Sequence, residues 1–267
     1  MLDIRNAVKV FDRGSPIEHT ALNSVSLHLN PGDFVTIIGS NGAGKSTLFN
    51  AICGSFFLDR GSIQLNGDNI TFEPEHRRAR IIGRVFQDPM RGTAPHMTIE
   101  ENLALAHSRT TARPLSIAPS RKQRSLFRDR LASLGMGLED RMKTQVGLLS
   151  GGQRQVVTLL MCTVVTPRLL LLDEHTAALD PATAEKVMQI TRQVVQETHL
   201  TTMMITHNIA QALETGNRTL MMENGQILFD IQGDMRSRMT VDQLLGMYSS
   251  STNRVFDNDR MLFGTQA

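Results

Sequence analysis

A chain of 267 residues with a formal net charge of +2 can bury one large core, or one core with an inserted subdomain. That charge implies no general affinity for nucleic acid. The longest apolar run, VVTLLMCTVV at 156–165, falls well short of the ~20 residues that cross a bilayer, so the chain is expected to be soluble.

The start, MLDIRNAVKV, has no secretory pattern. Strand-like alternation and turns fill the first third: LDIRNAVKVF, then LNSVSLHLN, then GSIQLNG with an Asn66-Gly67 turn. Within this third, Phe34, Val35, Ile37 and Ile38 read as a buried strand, and Leu48, Phe49 and Ile52 give the next helix a core face. Between them lies GSNGAGKST at 39–47.

Gly39 to Ser46 fits the phosphate-loop spacing G-x-x-x-x-G-K-S. Gly39, Gly42 and Gly44 let the backbone curl through Ser40, Asn41 and Ala43, so that successive N–H groups point at one anion. The following helix adds its positive N-terminal end. Lys45 reaches the β- and γ-phosphates, the Ser46 hydroxyl ligates Mg²⁺, and Thr47 adds a phosphate contact. A glycine-rich loop matching by chance would lack these flanks.

Around 98–145 the chain turns helical and basic. Thr98 caps TIEENLALAHS with Glu101 three residues on, and 120–134 carries Leu126, Phe127, Leu131 and Leu134 amid arginines. The basic segment 109–130, which includes Arg109, Arg113, Arg121 and Arg130, has no interleaved aromatic beyond Phe127. A solvated face, or one near anionic lipid, fits it better than nucleic acid. Then α/β alternation returns: the strand RLLLLD, a helix from Pro181, the strand TTMMIT, a helix, and the hairpin RTLMMENGQILFDI. A parallel sheet interrupted by a helical insertion is the simplest reading. Cys53 and Cys162 fall in apolar helical patterns and read as buried thiols, which suits a reducing cytoplasm. No internal repeat appears. Beyond about residue 235 come one capped helix, TVDQLLGMY, and a polar tail expected to be loose.

Four leucines place Asp173 at the carboxyl end of a buried strand, where α/β sheets bind ligands. Asp173 can hold the water shell of Mg²⁺, and Glu174 can polarise an attacking water. Upstream, LSGGQRQ at 149–155 opens a helix with Ser150 and two glycines, a second anion cradle in a chain that already has one. It is explained if it serves the γ-phosphate bound to another copy of the protein.

These motifs resemble the ATP-binding cassette ATPases, the motor subunits of ABC transporters, over about residues 1–235. Leu149, Ser150, Gly151, Gly152 and Gln153 match that family's signature, which is far more specific than the phosphate loop. The resemblance implies an α/β fold: a P-loop NTPase (RecA-like) core with an N-terminal antiparallel β-subdomain and an inserted α-helical subdomain near 89–155. Residues 236–267 would then form a short C-terminal helix and tail. It also implies ATP and Mg²⁺ as cofactors. Gln87 in RVFQDP resembles the Q-loop glutamine, which senses the γ-phosphate through metal or water and contacts the permease. Asp180 in AALDP resembles the D-loop aspartate linking two sites of a dimer, and His207 in ITHN the switch histidine that contacts the γ-phosphate and positions the water. Phe11, in VKVFDRG, sits where the family stacks an aromatic on adenine; it can do so, or simply pack in the β-subdomain. Most relatives carry proline or alanine after the catalytic glutamate, whereas this chain has His175. That imidazole can tune Glu174 if protonated, or point away; pointing away is the simpler reading.

The implied cycle needs two copies, as a homodimer or heterodimer, each holding ATP on Gly39–Thr47 against Ser150–Gln153 of the other. Closure would work an integral membrane permease through the surface at 88–106, where Met90 and Met97 are adaptable fillers. The wording QDPMRGTAPHMTIEENLALA and DEHTAALDP looks closest to bacterial uptake systems with a separate extracytoplasmic solute-binding protein, often for amino acids or related small solutes. Such a subunit lies peripherally on the cytoplasmic face of the membrane. A free-standing exporter cassette is the alternative. A non-transport cassette is less favoured, because only about 105 residues separate Lys45 from Ser150, with no heptad run.

Overall fold

Two long strands, β1 (Leu2–Phe11) and β2 (His19–Leu29), open the chain as an antiparallel pair running from Leu2↔Leu29 to Phe11↔His19. β3 (Phe34–Gly39) is buried at every residue and leads into α1 (Lys45–Cys53). β4 (Arg60–Leu65) pairs with the other edge of β1, and β5 (Asp68–Asn69) pairs with β4. The Asn66-Gly67 connection has both residues at positive φ, 52° and 85°, as a two-residue hairpin requires. The four strands form one sheet in the order β2-β1-β4-β5. A short helix follows, α2 (Glu75–Arg78). Its Arg78 is 1% exposed and donates to Ala51 O and Ile52 O at 2.7 and 2.9 Å. A fixed positive charge thus closes the negative end of the helix that the phosphate loop begins.

The structure, a computed structural model, describes residues 1–109 and 119–252. Arg113 and the polar tail lie outside the described residues. The chain divides into two compact units, Met1–Arg78 with Thr201 onward, and Ala79–Leu200. In the second unit, β6 (Ile82–Val85) is followed by α3 (Ile99–Ser108), α4 (Arg121–Ser133) and α5 (Gly151–Thr163). Then come β7 (Leu169–Asp173) and α6 (Pro181–Thr198). β6 and β7 are parallel, from Ile82↔Leu169 to Val85↔Leu172, and the four leucines of β7 have no exposed surface. Thr98 and Glu101 form the capping box that the sequence predicts for α3; Ser120 and Gln123 form another at α4. Phe127 and Leu131 are buried, but Leu126 is 36% exposed. One helical step of about 100° from Phe127 carries it off the core face.

The chain then returns to the first unit. β8 (Thr202–Ile205) lies parallel to β3, in register Phe34↔Thr202 to Ile37↔Ile205. After α7 (Ile209–Glu214), β9 (Arg218–Glu223) pairs parallel with the other edge of β3, and β10 (Gln226–Gln232) folds back antiparallel on β9. α8 (Gly233–Ser237) and α9 (Val241–Thr252) end the described chain. Leu244 and Tyr248 of α9 share a core cluster with Ile38, Ile209, Ala212, Met221 and Ile231, which gives the chain's sole tyrosine a packing role. Cys53 and Cys162 are both buried thiols, as the sequence predicts. Among the described residues no helix is long and apolar enough to cross a membrane.

Candidate nucleotide site

β3 ends at Gly39, whose φ of 152° and crowding forbid a side chain: a Cβ there would lie 2.1 Å from Met222 O. Gly44 is as constrained, at φ 97°, where a Cβ would meet Ala21 O at 2.5 Å. The loop between them rests on the β9–β10 hairpin. The Ser40 hydroxyl donates to the buried Glu223 carboxylate at 2.6 Å, and the Gly225 N–H donates to Ala43 O at 3.1 Å. Lys45 is 6% exposed, and its Nζ donates to Gly39 O and Ser40 O at 2.7 and 2.8 Å. The ammonium is therefore already folded across the loop whose anion it is expected to hold. Asn41 and Ser46 are exposed, and Thr47 is half-buried.

His207 stands at the end of the neighbouring parallel strand. Ile37 pairs with Ile205, and the Thr206 N–H donates to Ile37 O at 3.2 Å, so the phosphate loop and His207 both leave the carboxyl edge of the sheet. Asn208 then caps α7 by accepting from the Gln211 N–H at 2.9 Å, and the Thr206 hydroxyl donates to Gln211 Oε1. This turn fixes where the half-buried imidazole begins. Phe11 closes β1, half-buried, its ring T-shaped to Phe56 with centroids 5.3 Å apart. Lys9 Nζ lies 5.4 Å from one ring and 5.1 Å from the other. Packing in the β-subdomain is thus real, and the residue is not fully buried by it.

In the second unit the same logic repeats. Val85 pairs with Leu172, so Gln87 and the Asp173-Glu174 pair emerge together at the carboxyl ends of β6 and β7. Gln87 is exposed; Asp173 and Glu174 are half-buried. Glu174 holds φ at 49°, an unusual conformation for a side-chain-bearing residue, of the kind that concentrates at functional sites. Arg84 Nη2 donates to Asp173 Oδ2 at 2.7 Å, and its guanidinium lies 4.7 Å from the Phe86 ring centre. His175 is buried beside α6, with Nε2 3.1 Å from the Thr191 hydroxyl. Thr191 donates its own proton to Val187 O, so the imidazole donates at Nε2. Burial pushes the His175 pKa down to about 4, which leaves the ring neutral at about pH 7. The ring turned into the core is the simpler of its two readings.

The signature segment begins α5. Leu149 is buried, and Ser150 and Gln153 form a capping box in which each side chain takes the other's backbone N–H. A Cβ on Gly152 would meet Thr183 Cγ2 at 2.2 Å, and one on Gly151 would lie 3.1 Å from Leu179. These glycines therefore also let α6 approach closely. Asp180 caps α6, accepting from the Thr183 N–H at 3.0 Å, and hydrogen bonding by Thr183 holds its carboxyl below the usual range. Arg154 braces the turn ahead of the signature by donating to Val146 O, Gly147 O and Leu149 O. Sequence reasoning missed Arg84, Arg154 and Glu223, since each acts on a partner that no local spacing reveals.

The profile of the ABC transporter family matches residues 22–177. The chain belongs to that family. This ABC cassette is 40% identical over 245 residues to a tyrosine transport ATP-binding protein of Clostridioides difficile, covering 92% of this chain and 97% of that one. It is 34% identical over 206 residues to the thiamine import ATP-binding protein of Photorhabdus laumondii, covering 76% and 82% of the two chains. Among solved structures it resembles a dimeric ATP-binding cassette in a post-hydrolysis state with ADP and phosphate. The TM-score is 0.75 and the identity 27%, over 87% of this chain and 98% of that one. The expected P-loop NTPase fold with an antiparallel β-subdomain is the fold found. The chain is an ATP-binding subunit of the ABC transporter type.

Proposed function

We propose that this cassette hydrolyses ATP to drive uptake of an amino acid or related small solute through a separate permease fed by an extracytoplasmic solute-binding protein. The observation that carries the reading is the 40% identity to a tyrosine transport ATP-binding protein along 97% of that protein's length. The domain limits suggested by sequence, 1–235 with a helical insertion near 89–155, belong to the same proposal, as does a place on the cytoplasmic face of the membrane.

Gly39 to Thr47 would receive the phosphates, with Lys45 exchanging its two loop carbonyls for phosphate oxygens. The oxygen donors of Ser46, Gln87 and Asp173 suit Mg²⁺, a hard cation that takes one or two protein oxygens together with phosphates and waters. Mg²⁺, when bound, supplies charge neutralisation on the phosphates; the Ser46 hydroxyl, Gln87, and Asp173 through water would hold it. Glu174 would accept the proton of the attacking water, and His207 would hold that water against the γ-phosphate. Phe11 would carry adenine. Leu149, Ser150, Gly151, Gly152 and Gln153 would face the nucleotide of a second copy, with Asp180 linking the two sites.

Two experiments test the reading. Glu174→Gln keeps the shape and loses the base, so it should bind ATP, hydrolyse it very slowly and accumulate as a dimer on size-exclusion chromatography. Turnover equal to wild type would remove Glu174 from the reaction. Proteoliposomes holding the permease and the cassette should take up radiolabelled tyrosine or another amino acid only with ATP. Outward movement of solute would overturn the direction.

A further inference from the structure

Arg84 and Asp173 lie 89 residues apart in sequence, yet Nη2 and Oδ2 meet at 2.7 Å with both side chains only 13% exposed. Arg84 is held from two further directions. Its guanidinium sits 4.7 Å from the centre of the Phe86 ring, and its carbonyl accepts from the Cys162 thiol at 3.2 Å. A guanidinium stacked on an aromatic ring and tied through its own backbone is aimed with little freedom left. It is aimed at the carboxylate that the proposed function gives to the magnesium water shell.

We propose that Arg84 is a positioning residue that holds Asp173 in place and divides its negative charge, so that it sets the magnesium concentration at which the cassette binds nucleotide. The inference rests on the role proposed for Asp173. The physical reason is competition. A carboxylate already paired with a cation at hydrogen-bond distance offers a second cation less charge, and the two cations repel across it. The benefit is that Asp173 stays oriented and neutralised while no nucleotide is bound. A half-buried carboxylate left without its cation would carry a desolvation cost and lose its fixed direction.

The test uses the full chain, a fluorescent non-hydrolysable ATP analogue, and titration with Mg²⁺ from a chelated start. Arg84→Gln keeps a hydrogen-bond donor and removes the charge; Arg84→Lys keeps the charge. The expected result is that Arg84→Gln reaches half-maximal nucleotide binding at about three- to tenfold lower Mg²⁺, as removal of one nearby like charge predicts, whereas Arg84→Lys stays near wild type. Mn²⁺ binding followed by electron paramagnetic resonance should shift the same way, and the nucleotide-free Arg84→Gln protein should melt at lower temperature. A residue with only a structural role would lower the melting temperature and leave the metal midpoint unchanged or raised, and that result overturns the inference. Equal shifts in the Gln and Lys variants overturn it as well. Wild-type protein that binds the analogue without any magnesium dependence would instead overturn the metal role of Asp173.

Discussion

The Glu223 carboxylate accepts the Ser40 hydroxyl at 2.6 Å across 183 residues of sequence, tying the phosphate loop to the end of the strand beside it. Ser40 reads from sequence as one of the residues whose backbone N–H groups point at the anion. In the fold it is a fixed point of that loop, because Glu223 is buried and the Gly225 N–H holds Ala43 from the same hairpin. Glu223→Ala should lower the stability of the nucleotide-free protein by about 1.5–3 kcal/mol, the usual range for a hydrogen bond to a charged group. Glu223→Gln, which still offers an acceptor oxygen, should lose less. Urea denaturation of the three proteins measures the difference.

The signature helix carries a second constraint that can be separated from nucleotide binding. Gly152→Ala would push a methyl group to 2.2 Å from Thr183 Cγ2, an overpacking that costs about 1–3 kcal/mol. Thr183→Ser removes the obstructing methyl. The double variant should therefore recover much of the lost stability, and a double-mutant cycle on denaturation midpoints reads the coupling. Additive losses would mean that the helices separate rather than clash.

The parts of the site that were legible in the sequence are those whose function is local. Gly39 to Thr47 sits between a strand and a helix whose periods are visible, and Leu169 to Leu172 announce a buried strand that ends at Asp173. The capping box at Thr98 needs only three residues of spacing. What escaped depends on strand register and on which element lies alongside. Arg84 meets Asp173 because β6 and β7 are parallel with Val85 opposite Leu172, and nothing in the run IIGRVFQ marks that pairing. The glycines of the signature looked like anion donors alone, since the approach of Thr183 is a tertiary fact. Arg78, buried against the end of α1, reads in sequence as one more charge in EHRRAR.

His175 gives a pH dependence with a definite sign. Its folded pKa, about 4, lies below the ordinary histidine value of 6.5, so the unfolded chain binds the extra proton first as pH falls. Stability contributed by the neutral ring is complete above about pH 6.5 and is lost as pH falls from there towards about 4, at up to about 1.4 kcal/mol per pH unit. Melting temperature followed between about pH 7.5 and 3.5, a window spanning both values, should drop more steeply in wild type than in His175→Asn. The variant starts lower, because it gives up buried packing against α6, so the slope rather than the starting value is diagnostic. Parallel curves would place the acid sensitivity elsewhere.

Phe11 offers the sharpest division between two uses of one side chain. Its edge contact with Phe56 predicts a packing contribution of about 0.5–1.5 kcal/mol beyond area burial. Stacking on adenine predicts a separate loss of about 1–3 kcal/mol in nucleotide binding when the ring is removed. The two are measured on different axes. Phe11→Ala should lower the denaturation midpoint modestly in the absence of nucleotide and weaken binding of a fluorescent ATP analogue roughly five- to 150-fold, the conversion of that energy range. Phe56→Ala, which removes the neighbour but keeps the platform, should cost similar stability and far less affinity. Phe11→Tyr should leave both nearly unchanged, since the added hydroxyl does not alter the stacking face. If the two alanine variants lose stability and affinity in the same proportion, the ring acts only as packing for the β-subdomain and adenine rests on another surface.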